Sequence, residues 1–280
     1  VVLLGHVAAT VDIPDRRRAD ANLERAMPEL PASERRRISR RMFVHLAVSA
    51  LESAHLTKIL NDPRHAMMTE EHRRLFDNAF ARGKGIVAVT GHIGNWELFG
   101  QMVAKAGYPI TSIAKPLYDP RLTRWVDQQR SARGMQILWR GDRSVPKKML
   151  RVFRNNGVLA LLIDQDTMVQ GAFVPFFGRH AFTPTAAASM ALRKDAAVII
   201  GWSHRHGRKH VFHFERCDFQ PRGDHNADVV RLTALLSQRL EAAIREVPEQ
   251  WVWLHDRWKR QPDVGRAPTA ELDLNTSAQS

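Results

Sequence analysis

The stretch VLALLI, residues 158–163, is a run of six apolar residues that decides the fold class. A second run, AVIIGW at residues 197–202, has a similar character. Short, continuously apolar runs are typical of strands that a sheet buries on both faces. Because such sheets are mostly parallel, helices must connect their strands along the chain. The two runs therefore predict a parallel sheet covered by helices on both sides.

Strand and helix patterns alternate outward from these two runs. The predicted strands are residues 85–90, 110–114, 136–139, 158–163, 197–202 and 210–215. The predicted helices among and after them are residues 96–105, 121–133, 145–154, 184–193 and 228–246. This alternation predicts an α/β fold with a central, mostly parallel sheet flanked by helices and preceded by a helical N-terminal region.

The ends of the chain differ from its middle in composition. We expect a single domain over residues 1–262, with residues 1–60 as its helical N-terminal region. The apolar start VVLLGHVAATV, residues 1–11, is shorter than the ~18 residues of a membrane-spanning helix. One interpretation is that it is the remnant of a membrane anchor. The polar tail, residues 263–280, is predicted to be disordered because it has few apolar residues.

The charge balance is strongly basic, with 42 Lys and Arg against 29 Asp and Glu and a formal net charge of +13. Such an excess predicts an anionic partner, which can be nucleic acid, an anionic membrane surface or an acidic protein. The single cysteine, Cys217, excludes a disulfide within the chain. Four histidines in HRHGRKHVFH, residues 204–213, lack a carboxylate or thiol at ligand spacing, so we interpret them as exposed residues around a turn.

The strongest functional signal is VAVTGHIGNWELFG, residues 87–100. A predicted strand ends at Thr90, two glycines flank His92, and Asn95 is a favourable residue to cap the helix that follows. Glu97 lies in the first turn of that helix. Because His92 is on the loop and Glu97 on the helix, the two side chains are predicted to converge.

This pair has the composition of a general base with a supporting carboxylate. A neutral imidazole can take the proton of an alcohol as its oxygen attacks a carbonyl carbon. The chain contains no G-x-S-x-G motif that would supply a serine nucleophile. The hydroxyl of an acceptor is therefore the predicted nucleophile. The alternative is that His92 only supports its loop through hydrogen bonds.

GHIGNWE, residues 91–97, resembles the H-x-x-x-x-E box of the lysophospholipid acyltransferase superfamily. Its Asn-Trp-Glu ending resembles, in particular, the late acyltransferases of lipid A biosynthesis. Further segments resemble this family in the same order: residues 21–41 and 119–134, LIDQD at 162–166, VPFFGR at 174–179 and PEQWVWLHDRWKRQP at 248–262. The resemblance covers residues 16–262 and implies a fold like that of glycerol-3-phosphate acyltransferase.

The resemblance implies roles for individual residues. It implies that His92 is the catalytic base and that Glu97 is its catalytic partner. It also implies substrate-binding roles for Asn95, Arg130, Asp164, Phe177, Gly178 and Arg179. Neither a metal ion nor a cofactor is implied by the family.

The resemblance further implies that an acyl carrier protein thioester is the acyl donor and that a lipid A precursor is the acceptor in lipopolysaccharide biosynthesis. It implies action at the cytoplasmic face of the cell inner membrane, and we expect the protein to be a monomer. Trp251, Trp253 and Trp258 lie beside basic residues, a combination typical of a membrane interface. The alternative for these tryptophans is ordinary core packing.

Three other functions stay open at this point. The chain could acylate another glycolipid, such as a phosphatidylinositol mannoside. It could also be a catalytically inactive relative that binds lipid. Nucleic-acid binding is a third alternative, but the basic residues are dispersed and no recognition motif accompanies them. We therefore expect no nucleic-acid partner.

Overall fold

The computed structural model describes residues 14–262, in which eight strands form a six-stranded sheet and a two-stranded hairpin. The strands are β1 (Ile86–Thr90), β2 (Ile110–Ala114), β3 (Gln136–Trp139), β4 (Val158–Leu162), β5 (Gly171–Phe176), β6 (Arg179–Pro184), β7 (Ala197–His206) and β8 (Lys209–Arg216). The large sheet has the order β3-β2-β4-β1-β7-β8, and β5 pairs with β6. All six strands predicted from the sequence belong to the large sheet.

Helices precede the sheet and connect its strands. They are α1 (Pro14–Ala26), α2 (Ala32–Ala54), α3 (Leu56–Leu60), α4 (Glu70–Phe80), α5 (Trp96–Lys105), α6 (Pro120–Ser131), α7 (Val145–Arg154), α8 (Ala186–Lys194) and α9 (His225–Glu246), followed by a short 3-10 turn at Pro248–Gln250. The predicted helical N-terminal region is confirmed from residue 14 onward, whereas residues 1–13 and 263–280 lie outside the described residues. Within residues 14–262, no helix has both the length and the apolar content needed to cross a membrane.

The large sheet is mostly parallel, as predicted. Strand β1 lies at its centre and pairs in parallel with β4 and β7, and β2 pairs in parallel with β3 and β4. Only the last pair of this sheet, β7 with β8, is antiparallel. Thr90 at the end of β1 pairs with Leu162 at the end of β4. The residues that follow these two strands therefore emerge side by side at one edge of the sheet.

Both faces of the sheet are buried, and alternate residues of a strand belong to different cores. Val87 and Val89 of β1 pack into the core that contains α1, α2, α7, α8 and α9. Ile86 and Ala88 pack into the core that contains α3, α4 and α5. This double burial is the physical reason that β1 and β4 have no polar face.

Two parts of the fold differ from the sequence-based expectation. The β5–β6 hairpin was not predicted, and its two-residue turn is formed by Phe177 and Gly178, both with positive φ. The strand–turn–strand at residues 204–213 is confirmed, but the prediction that its basic residues are exposed is wrong for His204 and His210. Both are buried: His204 lies within β7, which extends beyond its predicted end, and His210 of β8 lies with its Nε2 3.2 Å from Glu52 Oε1.

Candidate active site

His92 lies on the loop between β1 and α5, and the two glycines beside it are required by close packing. A Cβ atom at Gly91 would lie 2.9 Å from an oxygen of Asp164. Gly94 has a φ of +59°, and a Cβ atom there would lie 1.9 Å from the backbone oxygen of Ser203. Larger residues at either position would push the loop away from the sheet.

The carboxylate that contacts His92 is Asp164, which follows the end of β4. His92 Nδ1 lies 2.8 Å from Asp164 Oδ1, and the backbone N–H of His92 donates to Oδ2 at 2.6 Å. The indole N–H of Trp251 also donates to Oδ2, at 2.8 Å. Asp164 is buried, whereas His92 keeps about a fifth of its side chain exposed. The ring is thus fixed by Asp164 on its Nδ1 side, and part of it stays accessible to a substrate.

The electrostatics of this pair determine which ring nitrogen is basic. Burial alone would raise the pKa of Asp164, but the charge and hydrogen bonds of His92 and the Trp251 indole outweigh it and lower that pKa below its ordinary value. An ionised carboxylate can only accept hydrogen bonds, so Nδ1 of His92 must carry the proton. Nε2 is then the nitrogen free to accept a proton, and the Gln165 amide lies 3.4 Å from it.

Glu97 does not take the place predicted for it. Its carboxylate pairs with Arg130, whose Nε donates to Glu97 Oε1 at 2.8 Å. The prediction that Glu97 supports the His92 ring is therefore wrong, because the ring points toward the end of β4 while Glu97 projects from α5 toward α6. A requirement for Glu97 in activity stays a prediction.

Glu97 and Arg130 instead line a cavity of about 300 Å³ whose wall includes Trp96 but not His92. Trp96 forms part of its wall and meets the His92 ring edge-on, with ring centroids 5.1 Å apart. Most of the remaining lining is apolar and comes from α2, α3, α6 and the β2 and β3 ends: Leu46, Ala50, Leu56, Ala114, Leu117, Trp125, Val126 and Trp139. The catalytic candidate thus adjoins a pocket suited to an apolar group.

Asn95 connects the site to the N-terminal helices. Its side-chain oxygen accepts from the backbone N–H of Leu98 at 3.0 Å, which confirms the predicted helix cap. Its amide donates to Glu52 of α2 at 2.9 Å. Burial would raise the pKa of Glu52, but hydrogen bonds from His210 and Arg205 lower that pKa to about 2. A charged residue of α2 therefore fixes the start of α5.

The loop itself is held from two further directions. His45 of α2 lies with its Nε2 3.1 Å from the carbonyl oxygen of Gly94. The backbone N–H of Gly94 donates to the carbonyl of Gln250 at 2.8 Å, and Ile93 forms a bridge with Trp251. The helical N-terminal region and the C-terminal segment both support the backbone around His92.

The predicted substrate residues of the hairpin lie farther from His92 in the contact network. Phe177 is buried and stacks on Trp251 at 6.5 Å between ring centroids, and Gly178 completes the turn. Arg179 is exposed, and its Nε donates to the carbonyl oxygen of Arg25 at 3.1 Å. Phe177 contacts Trp251, which in turn donates to Asp164. Contact of these three residues with substrate stays a prediction.

The tryptophan segment is core, not surface. Trp251, Trp253 and Trp258 are 1%, 0% and 4% exposed, so the prediction that they form a membrane interface is wrong. They pack around Phe176 and Phe177 of the hairpin. The alternative of core packing is the correct one for all three.

Some site residues were missed by sequence reasoning. Asp164 was predicted to bind substrate, not to hold His92, and Gln165 and Glu52 had no predicted place in the site. A signal for Asp164 existed, because it follows a strand adjacent to β1. Within the described residues, no three His, Cys, Asp or Glu side chains are grouped to hold a metal ion.

Comparison with known proteins identifies the family. Residues 2–260 match the family described as bacterial lipid A biosynthesis acyltransferase. The chain belongs to this family. The motif-based prediction of the family is thereby confirmed.

Individual relatives carry two kinds of name. The chain is 27% identical over 199 residues to the phosphatidylinositol mannoside acyltransferase of Mycobacterium tuberculosis, covering 70% of this chain and 61% of that protein. It is 24% identical over 265 residues to a lipid A biosynthesis acyltransferase of Haemophilus influenzae, covering 90% and 77%. It is 25% identical over 250 residues to the lipid A biosynthesis lauroyltransferase of Escherichia coli, covering 86% and 78%. The match thus spans less than two thirds of the mycobacterial protein.

Proposed function

We propose that this protein is an O-acyltransferase that moves a fatty acyl group to a hydroxyl of a glycolipid. One observation carries the proposal: the His92 ring, held by Asp164 at 2.8 Å, contacts Trp96, which lines a largely apolar cavity of about 300 Å³. A base with a fixed tautomer and a pocket for an apolar chain are the two parts that this reaction requires. Family membership supports the same reaction.

In the proposed mechanism, the acceptor hydroxyl binds within reach of His92 Nε2. Nε2 takes the hydroxyl proton as the oxygen attacks the carbonyl carbon of the acyl donor. With a thioester as the acyl donor, the tetrahedral intermediate then collapses and the bond between its central carbon and the sulfur breaks. The imidazolium gives its proton to the departing thiolate. Asp164, ionised throughout, stabilises the imidazolium between the two proton transfers.

The donor that we propose is the thioester of acyl carrier protein. The net charge of +13 suits an acidic carrier, and the apolar cavity suits its acyl chain. No serine or cysteine side chain hydrogen-bonds His92 in the described part of the chain. We therefore expect direct transfer from donor to acceptor, with sequential rather than ping-pong kinetics.

The acceptor that we propose is a lipid A precursor, because the family and two relatives are named for lipid A biosynthesis. A phosphatidylinositol mannoside is the second candidate, because another relative is named for it. The purified chain, supplied with acyl carrier protein loaded with fatty acid, would be given each acceptor, and the products identified by mass spectrometry. Transfer to neither glycolipid would contradict the proposal.

We also propose that the protein acts as a monomer at the cytoplasmic face of the inner membrane. The donor is a cytoplasmic carrier, the acceptor is a membrane lipid, and the chain is basic enough to be attracted to anionic lipid. Fractionation of cells, with protease added from each side of the membrane, tests the face; light scattering of the purified protein tests the monomer.

Substitution of His92 tests the mechanism. His92→Ala should lower kcat about 10²–10⁴-fold, the usual contribution of a general base, while the variant stays folded at the assay temperature, as judged by circular dichroism. The matched control is His180→Ala, at an exposed histidine of β6 outside the site. Acyl transfer by His92→Ala at a rate close to that of the control would refute the assigned base.

A further inference from the structure

Large apolar side chains are exposed together on the loop before α6 and on its first turns. In the described part of the chain, four of the eight exposed large apolar side chains lie within nine residues: Leu117, Tyr118, Leu122 and Trp125. Patches of this kind on a protein surface mark a place where another molecule or a membrane binds.

Helix α6 leaves its apolar side chains exposed to solvent. None of its residues is buried, although Leu122 and Trp125 are one turn apart on the same face. A helix that packs on a core normally turns its apolar face inward. In α6 that face is left outward, and the helix rests against the edge strand β3.

The exposed patch is continuous with the cavity beside His92. Leu117 and Trp125 line the cavity and are also exposed to solvent, at 45% and 47%. The patch is therefore the rim of the pocket to which the proposed function assigns an acyl chain. A bilayer bound at this rim would hold its lipids, including the proposed acceptor, at the mouth of the cavity that binds the acyl chain of the donor.

Basic residues border the apolar patch. Lys115 and Arg124 are exposed, and within residues 14–262 neither forms an ion pair, while Arg121 pairs with Asp119. Leucine and aromatic rings flanked by Lys and Arg match the boundary between acyl chains and anionic headgroups. An acidic protein partner would use the basic residues but would leave four apolar side chains in water.

We propose that Lys115, Leu117, Tyr118, Leu122, Arg124 and Trp125 form a docking surface, here called the rim surface, that binds an anionic lipid bilayer and opens the cavity beside His92 to it. The inference rests on the proposed function for the role of the cavity. The membrane contact itself is measured without acyl transfer, so the two can fail separately.

The first test removes apolar contact without touching the cavity. Tyr118 and Leu122 belong to the rim surface but do not line the pocket. The double variant Tyr118→Glu/Leu122→Glu should lower the partition of the full chain onto phosphatidylcholine–phosphatidylglycerol vesicles at least about tenfold, measured by flotation. Its acyl transfer to an acceptor dispersed in detergent should be unchanged, while transfer to the same acceptor in vesicles should fall.

The matched control places a charge on an exposed apolar residue elsewhere. Met67 is 56% exposed, and its neighbour Ala66 bridges to His210 of β8, at the edge of the sheet opposite β3. Met67→Glu should bind vesicles as the wild type does. The variant Lys115→Gln/Arg124→Gln should lose its preference for vesicles with phosphatidylglycerol over pure phosphatidylcholine, by about fivefold for each charge removed.

The outcomes separate the two proposals. Vesicle binding that is equal in the wild type and Tyr118→Glu/Leu122→Glu would overturn the rim surface, as would equal loss in Met67→Glu. Absence of vesicle binding by a wild type that transfers acyl groups in detergent would also overturn it and leave the proposed function intact. Loss of binding confined to the rim variants, in a protein that transfers no acyl group, would support the surface and reject the proposed function.

Discussion

The end of strand β4 and the first turn of helix α5 each carry a carboxylate that could serve His92, and the two carboxylates make different contacts. Asp164, after β4, is buried and accepts hydrogen bonds from the ring and backbone of His92 and from Trp251. Glu97, in α5, pairs with Arg130 on the wall of the cavity. Asp164 thus contacts the proposed base, whereas Glu97 forms part of the cavity wall.

The difference shows that proximity along the chain is a poor guide to contact at a sheet edge. Glu97 is five residues from His92, whereas Asp164 is 72 residues away. Strand pairing overcomes the larger distance, because β1 and β4 run in parallel and end side by side. The helix, in contrast, directs Glu97 toward α6.

The largest effect is expected at Asp164. In Asp164→Asn, the N–H group of the new amide would face the N–H groups of His92 and Trp251 that now donate to the carboxylate. The negative charge that stabilises the imidazolium would also be lost. We expect kcat to fall about 10²–10⁴-fold with little change in KM, measured by steady-state acyl transfer. The double variant with His92→Ala should be no slower than His92→Ala alone, because the two residues act as a unit.

A neighbouring carboxylate provides the control for Asp164. Asp166 is also buried, but it pairs with Arg260 and does not touch His92. Asp166→Asn should therefore lower stability more than kcat. Two results together would contradict this assignment. One is a severe kcat defect in Glu97→Gln that grows no larger when His92→Ala is added; the other is a mild kcat defect in Asp164→Asn. They would show that Glu97, not Asp164, acts with His92.

A smaller and different effect is expected at Glu97. Glu97→Gln keeps the shape of the side chain but removes the charge paired with Arg130, which loosens the cavity wall. We expect kcat/KM to fall about 10- to 100-fold, mostly through KM, since a charge-assisted hydrogen bond contributes about 1.5–3 kcal/mol.

Arg130→Gln offers the reciprocal measurement for this pair. It should give a similar defect, and the double variant Glu97→Gln/Arg130→Gln should be no worse than either single variant, because all three remove one ion pair. Additive defects in the double variant would show that the two residues contribute separately, which would contradict a shared role in the cavity wall.

Much of the fold could be predicted because its strands are short, apolar and regularly spaced. The hairpin of β5 and β6 could not, because Pro175 interrupts its strand pattern and a proline argues against a strand. Its turn also places Phe177 at positive φ, where glycine or asparagine is usual. Burial of Phe177 against the tryptophans offsets that unfavourable conformation.

The site was predictable up to the point where contacts depend on tertiary packing. The position of His92 and the cap at Asn95 are local features, and both could be inferred from residues 90–97. The partner of His92 and the hydrogen bond from Trp251 depend on which strands are neighbours. Exposure is equally a tertiary property: Trp251 and Trp125 both have basic neighbours, but only Trp125 reaches the surface.

The smallest effect on activity is expected at the support beneath the His92 loop, where the expected change is in the response of stability to pH. Burial lowers the pKa of His45 to about 4 from its ordinary value of 6.5, with the Gly94 carbonyl opposing that shift in part. The unfolded chain therefore takes up a proton at His45 as pH falls through 6.5, while the folded chain stays neutral there until about pH 4. Stability from this residue is complete above pH 6.5 and is lost as pH falls toward 4, by about 2–3 kcal/mol.

His45→Gln isolates this contribution, because glutamine can still donate to the Gly94 carbonyl but does not titrate. The free energy of unfolding, measured by urea denaturation between pH 7 and pH 4, should fall less steeply in His45→Gln than in the wild type. His204, whose pKa burial also lowers to about 4, leaves a residual slope in both proteins. Asp164 does not contribute to the slope between pH 7 and pH 4, because its pKa is lowered and the stability that it provides is lost below pH 4. The exposed His180→Gln should keep the wild-type slope, and an unchanged slope in His45→Gln would show that His45 is not held neutral beneath the loop.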